Sequence, residues 1–147
     1  MLIVYHSQSG SCLQLAEAAR CGALSAGETA ALYRACDVGS CEVIASRGLL
    51  LVAAENSGRL SGATKDFLDR CFYPLIAHNT QLPYALLCSA GNDGRGAIAE
   101  AQRILRGIPF TQALEPLIVR GEPDEPGLER AREMGEGFAV GLSMGIF

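Results

Sequence analysis

Gly48-Leu49-Leu50-Leu51-Val52-Ala53-Ala54 runs for seven residues without a polar side chain. A strand with one wet face alternates apolar and polar residues. A run that is apolar at every position is covered on both faces, as in a parallel sheet sandwiched between helices. Leu2-Ile3-Val4-Tyr5 and Tyr84-Ala85-Leu86-Leu87-Cys88 have the same character, and Thr29–Ala35 and Glu115–Val119 complete a set of five predicted strands. Helical segments lie between them. Ser11–Leu24 places Leu13, Leu15, Ala16, Ala18 and Ala19 at turn spacing, with Gly22 and Gly27 expected to break it. Asp37 is the expected N-cap of a short helix through Ser46. Gly62–Ile76 turns Phe67, Leu68, Cys71, Phe72 and Leu75 inward, and Arg95–Arg106 and a closing Gly127–Met144 follow. Strand and helix alternating five times in 147 residues predict one α/β domain, residues 1–147, with a doubly wound parallel sheet and helices on both faces.

In such sheets, ligands bind outside the carboxyl ends of the strands, near the point where strand order reverses. Three loops at those ends are rich in Gly, Ser and Asn: Ser7–Cys12, Glu55–Ser61 and Ser89–Gly94. The first, Ser7-Gln8-Ser9-Gly10-Ser11-Cys12, packs three hydroxyls and a glycine between a strand and a helix start. Unpaired N–H groups at a helix N-terminus carry partial positive charge and suit an anion. No lysine is present, so the loop does not fit a nucleoside triphosphate; it suits a single phosphate held by neutral donors. An ordinary strand-to-helix turn is the alternative reading of this loop alone.

Ile3-Val4-Tyr5-His6-Ser7-Gln8-Ser9-Gly10-Ser11-Cys12 followed by Ala16 resembles the phosphate-loop signature of flavodoxins. Cys12 stands where that signature has Thr, and Ala19 where it usually has a larger aliphatic residue. Gly58-Arg59-Leu60-Ser61-Gly62 through Phe67-Leu68-Asp69 is similar to a stretch of WrbA-type quinone reductases and NADPH-dependent FMN reductases. The resemblance covers essentially the whole chain. It implies a three-layer flavodoxin-like sandwich with strand order 2-1-3-4-5 and FMN as cofactor. Ser7, Gln8, Ser9, Gly10, Ser11 and Cys12 would hold the phosphate. Glu55, Asn56, Ser57, Gly58, Arg59 and Leu60 would line the flavin ring on one side. Ser89, Ala90, Gly91, Asn92, Asp93 and Gly94 would border it on the other. Neither ring loop carries an aromatic residue, and Ser57 stands where WrbA-type proteins have Phe.

The implied activity is an NAD(P)H-dependent reductase acting on a small quinone or flavin, with no side chain needed as general acid or base. A flavodoxin-type electron carrier served by a redox partner protein is the alternative, as is a binding module that has lost FMN. Arg59 is open to two readings: a solvated loop arginine, or a cation facing a nicotinamide phosphate or reduced flavin. A net charge of −4 argues against nucleic acid as partner. No apolar run approaches the roughly 20 residues of a membrane span. A hydrophobic content of 49% hints at a homo-oligomer. Six cysteines without a CxxC pair, behind an N-terminal strand with no leader pattern, predict reduced thiols in a cytoplasmic protein, most of them buried. A phosphotransfer receiver lacks its aspartate cluster here. A cysteine phosphatase lacks its spacing too, because Cys88 to Arg95 is one residue too long.

Overall fold

The computed structural model describes residues 1–147. Strand β1 (Leu2–Tyr5) leads into helix α1 (Ser11–Ser25), then β2 (Ala31–Arg34), α2 (Ser40–Ile44) and β3 (Leu49–Asn56). A two-residue strand β4 (Arg59–Leu60) precedes α3 (Gly62–Ala77), β5 (Pro83–Ala90) and α4 (Arg95–Gly107). The chain closes with β6 (Thr111–Gln112), β7 (Leu117–Arg120) and α5 (Glu125–Met144). The parallel strands lie in the order β2-β1-β3-β5, and β6 and β7 both pair with β5. Counted as one interrupted strand, β6 and β7 complete the expected 2-1-3-4-5 order.

The sheet sorts its side chains by the period of two. Leu2, Val4, Leu49, Leu51, Leu86 and Cys88 face one way and pack with Val43 of α2, Phe67 and Leu68 of α3, and Ala101 and Leu105 of α4. Ile3, Leu50, Val52, Ala85 and Leu87 face the other way and pack with Leu15 and Ala19 of α1 and Ala131 and Phe138 of α5. Both faces of the central strands are thus dry, as their uninterrupted apolar runs require.

Four local expectations are corrected. Gly22 does not break α1; it lies inside the helix, buried. A methyl group there would overlap the Arg132 carbonyl of α5, and one on Gly135 would overlap the Ala19 carbonyl of α1. The two helices cross backbone against backbone, and this packing outweighs the low helix propensity of glycine. Asp37 does not cap α2, which starts after Gly39, where the Gly39 N–H donates to Glu42 Oε2 at 2.9 Å. The fifth strand starts at Leu117 and not at Glu115, and a two-residue strand, β6, precedes it at Thr111–Gln112. Of the six thiols only Cys12, Cys71 and Cys88 are buried; Cys21, Cys36 and Cys41 are exposed. No helix is long and apolar enough to cross a membrane.

Replacing Gly135 by Ala is expected to lower stability by about 2 kcal/mol or more, because backbone must shift to admit the methyl group. At the exposed Gly137, whose added Cβ meets nothing within 4 Å, the same change should raise stability by about 0.5–1 kcal/mol. Urea unfolding of both variants checks the contrast.

Candidate functional site

At the carboxyl ends of β1, β3, β5 and β7 the loops enclose a cavity of about 460 Å³. Its first wall is the turn into α1. Gly10 adopts φ 98°, a left-handed conformation open to glycine, and caps the helix without any side-chain acceptor. Gln14 is the first helix residue whose N–H reaches a backbone carbonyl, that of Gly10 at 3.0 Å. The N–H groups of Ser11, Cys12 and Leu13 therefore have no partner within the helix, and no acidic residue occupies the first turn. Ser7 Oγ accepts from Gly10 N at 3.1 Å, and the Ser9 and Ser11 hydroxyls lie 3.3 Å apart. Ser7, Gln8, Ser9, Ser11 and Cys12 all line the cavity, while Gly10 shapes the turn.

Cys12 plays a different part from the threonine it replaces. Its side chain is 2% exposed, and burial pushes its thiol up to about 11, opposed by hydrogen bonds to Ser89. The thiol is neutral and turned inward, so what this residue offers the cavity is its backbone N–H.

The second wall is shorter than expected. Residues Glu55–Ser61 do not form an open loop. β3 continues to Asn56, turns through Ser57 and Gly58 at φ 51° and 74°, and returns antiparallel as Arg59 and Leu60. Two consecutive positive φ values are those of a primed hairpin turn. Only Ala54, Glu55 and Asn56 line the cavity. Ser57, Gly58 and Arg59 are exposed on the hairpin, where the Gly58 carbonyl lies against Gly96 of α4. Leu60 is in the core, and its N–H donates to Glu100 Oε2 at 3.0 Å. The Ser61 and Thr64 hydroxyls pair at 2.8 Å, fully buried. Lys65–Asp69 and Asp66–Arg70 form ion pairs along α3, as a solvated helix face would. Much of this second motif therefore serves folding.

The third wall begins inside β5, since Ser89 and Ala90 belong to that strand and not to a loop. They line the cavity with Gly91, whereas Asn92, Asp93 and Gly94 do not line it. Glu55 explains their position. Its carboxylate accepts the Asn92 N–H at 2.9 Å and the Gly94 N–H at 3.1 Å, tying the second wall to the third. Both oxygens of Glu55, a residue that also lines the cavity, thus accept from the third loop.

Four lining residues escaped the sequence reading, the first being Ala54, just before the expected second loop. Gln14 lies on the first turn of α1, and Gly121 and Glu122 follow β7. Gly121 has φ 74° and donates to the Ala90 carbonyl at 2.9 Å, which carries the turn back over β5. A glycine after the last strand was the available signal. The lining holds no Lys, no Arg and no aromatic residue.

No protein-family model matches this sequence, and no curated protein does. Solved structures match throughout. An archaeal flavodoxin superimposes with a TM-score of 0.86 at 22% identity, over 97% of both chains. A WrbA-like flavodoxin from Agrobacterium tumefaciens gives 0.84 at 18%, over 97% of this chain and 96% of that one. Rubredoxin oxygen:oxidoreductase from Desulfovibrio gigas gives 0.84 at 15%, where 99% of this chain covers 36% of the larger protein. The fold is flavodoxin-like.

Three outcomes are expected. Glu55→Ala should speed amide hydrogen exchange at Asn92 and Gly94 while leaving exchange in β1 and β3 unchanged, as read by NMR. A thiol reagent should label three cysteines in the native protein and six after unfolding. The ordinary thiol value is 9.0, and burial raises Cys12 and Cys71 to about 11 and Cys88 to about 12. The unfolded chain thus releases these protons first, so stability should fall as pH rises from about 9 to about 11, which urea midpoints at pH 8 and 10.5 will read.

Proposed function

We propose that this chain is an FMN-binding flavoprotein and that it works as an NAD(P)H-dependent reductase of small quinones or flavins. The supporting observation is the bare start of α1 opening onto the cavity between the three walls. The donor set fits the phosphate of FMN. It offers backbone N–H groups and serine hydroxyls with no acid in the first helical turn. A single phosphate needs no lysine when neutral donors converge on it at a helix N-terminus. Ser7, Ser9, Ser11 and the backbone of Cys12 would hold that phosphate. Ala54–Asn56 and Ser89–Gly91 would flank the remainder of the group.

Bound FMN supplies hydride and electron transfer through its ring system. What the protein contributes is position. Gly10 sets the approach of the backbone, Glu55 holds the third wall against the second, and Gly121 closes the turn beside Ala90. The likeness to the WrbA-like structure and the lack of an aromatic residue on the lining favour the reductase reading, because an unstacked ring face admits a second planar group. The match to a flavodoxin over nearly the full length of both chains favours the second reading, an electron carrier served by a redox partner protein.

Titration with FMN, followed by visible absorption, should show saturable binding. Ser9→Asp should weaken it at least about a hundredfold, since a carboxylate beside the phosphate adds like-charge repulsion. Unchanged affinity in that variant overturns the assignment of the loop. Anaerobic NADPH should bleach the flavin bands of the reductase; bands that persist assign the chain to the carrier class.

A further inference from the structure

Beside the loop cavity, at the free edge of the sheet, the end of β7 and the start of α5 enclose a second cavity of about 460 Å³. Arg120, the last residue of β7, and Arg130, on α5, both line it. Both are exposed, and neither belongs to an ion pair, a state they share with Arg34, Arg59, Arg95, Arg103 and Arg106; what sets them apart is that they line one cavity together. Asp124 is the one acidic side chain on this wall, and its Oδ1 accepts the Gly127 N–H at 2.9 Å as the N-cap of α5. With that cap and Glu125 in the first turn, the α5 terminus is already neutralised. Arg120 and Arg130 are the two cationic residues on the wall of this cavity.

The two cavities are neighbours. Arg120 pairs in register with Ala90, which lines the loop cavity, and adjacent strands stand about 4.8 Å apart. Gly121 and Glu122, the next residues along the chain, line the loop cavity as well. That cavity has no cation of its own and carries Glu55 and Glu122, so it disfavours a second anionic group beyond the phosphate held by α1. The arginine cavity is the cationic wall next to it.

We propose that Arg120 and Arg130 bind the ribose 2′-phosphate of NADPH and so make this chain select NADPH over NADH; the proposal rests on the reductase reading. The 2′-phosphate is the one group that separates the two nucleotides. A guanidinium fork matches its oxygens in a bidentate pair, which an ammonium group does not. Arginine is also the residue that accommodates a 2′-phosphate in other α/β dinucleotide sites. An acidic protein surface is a poorer fit, because Asp124 shares the cavity and Glu122 and Glu125 lie between the two arginines in sequence, which leaves no uniform positive face.

The test uses 2′,5′-ADP and 5′-AMP as probes in isothermal titration of the whole chain loaded with FMN. The first should bind about tenfold or more tightly than the second, the discrimination expected of a charge-assisted phosphate pair. Arg120→Gln and Arg130→Gln should each abolish that difference, and Arg103→Gln, an exposed arginine on α4, should keep it. In turnover the same two variants should raise KM for NADPH and leave KM for NADH unchanged. Equal binding of the two probes, or discrimination that survives in both variants, overturns the proposal. A chain that discriminates the probes yet takes up no FMN keeps the arginine site and loses the flavin reading. One that binds FMN without discriminating loses the arginine site alone.

Discussion

Helix α1, whose bare amides open onto the cavity, is packed backbone against backbone on α5. Gly22 and Gly135 let the two backbones approach until neither position admits a methyl group. Close crossing of this kind leaves little room for the helices to slide, since packed interiors resist small displacements. The turn at Gly10 and the start of α1 inherit that rigidity. A helix terminus binds an anion through several amides at once, so its position relative to β3 and β5 matters more than any single serine.

The second constraint is a single carboxylate. Each wall of the cavity comes from a different part of the chain, and loops on separate strands are free to drift apart unless something joins them. Glu55 joins two of them through a pair of backbone donors. Hydrogen bonds to an ionised acceptor are stronger than neutral ones. The primed turn at Ser57 and Gly58 adds to this, because it returns the chain at once into α3 and places Glu55 at the end of an eight-residue strand. The hairpin is short, with two residues joining its paired strands.

Charge is distributed unevenly around the carboxyl end of the sheet. The cradle at α1 is neutral and rich in donors, the rim carries Glu55 and Glu122, and the arginines gather at the β7 edge. A neutral cradle admits one phosphate without the desolvation cost of burying a lysine beside it. The acidic rim then restricts what else enters there. These features suit a site that handles two different anionic groups in two different places.

The order of strands and helices, the two-sided burial of β1, β3 and β5, and the Ser7–Cys12 turn were legible in the residues alone, because each follows from local periodicity or backbone chemistry. Long apolar runs have one stable setting, and a glycine between serines at a helix start has few others. The rest depended on contacts between distant segments. Gly22 reads as a breaker until α5 is seen lying against it. That Glu55 also ties the second wall to the third shows only once its carboxylate is found on the Asn92 and Gly94 N–H groups. Cys12 reads as a substituted phosphate ligand until burial turns its thiol inward. Gly121, Glu122 and the arginine pair reach the cavities only once β7 is set beside β5. Sequence determined which elements form and where the strand ends must cluster, since those depend on neighbours along the chain. Tertiary structure decided which side chains at those ends face the cavity, because that is settled by residues that are far apart in sequence and touch only in the folded chain.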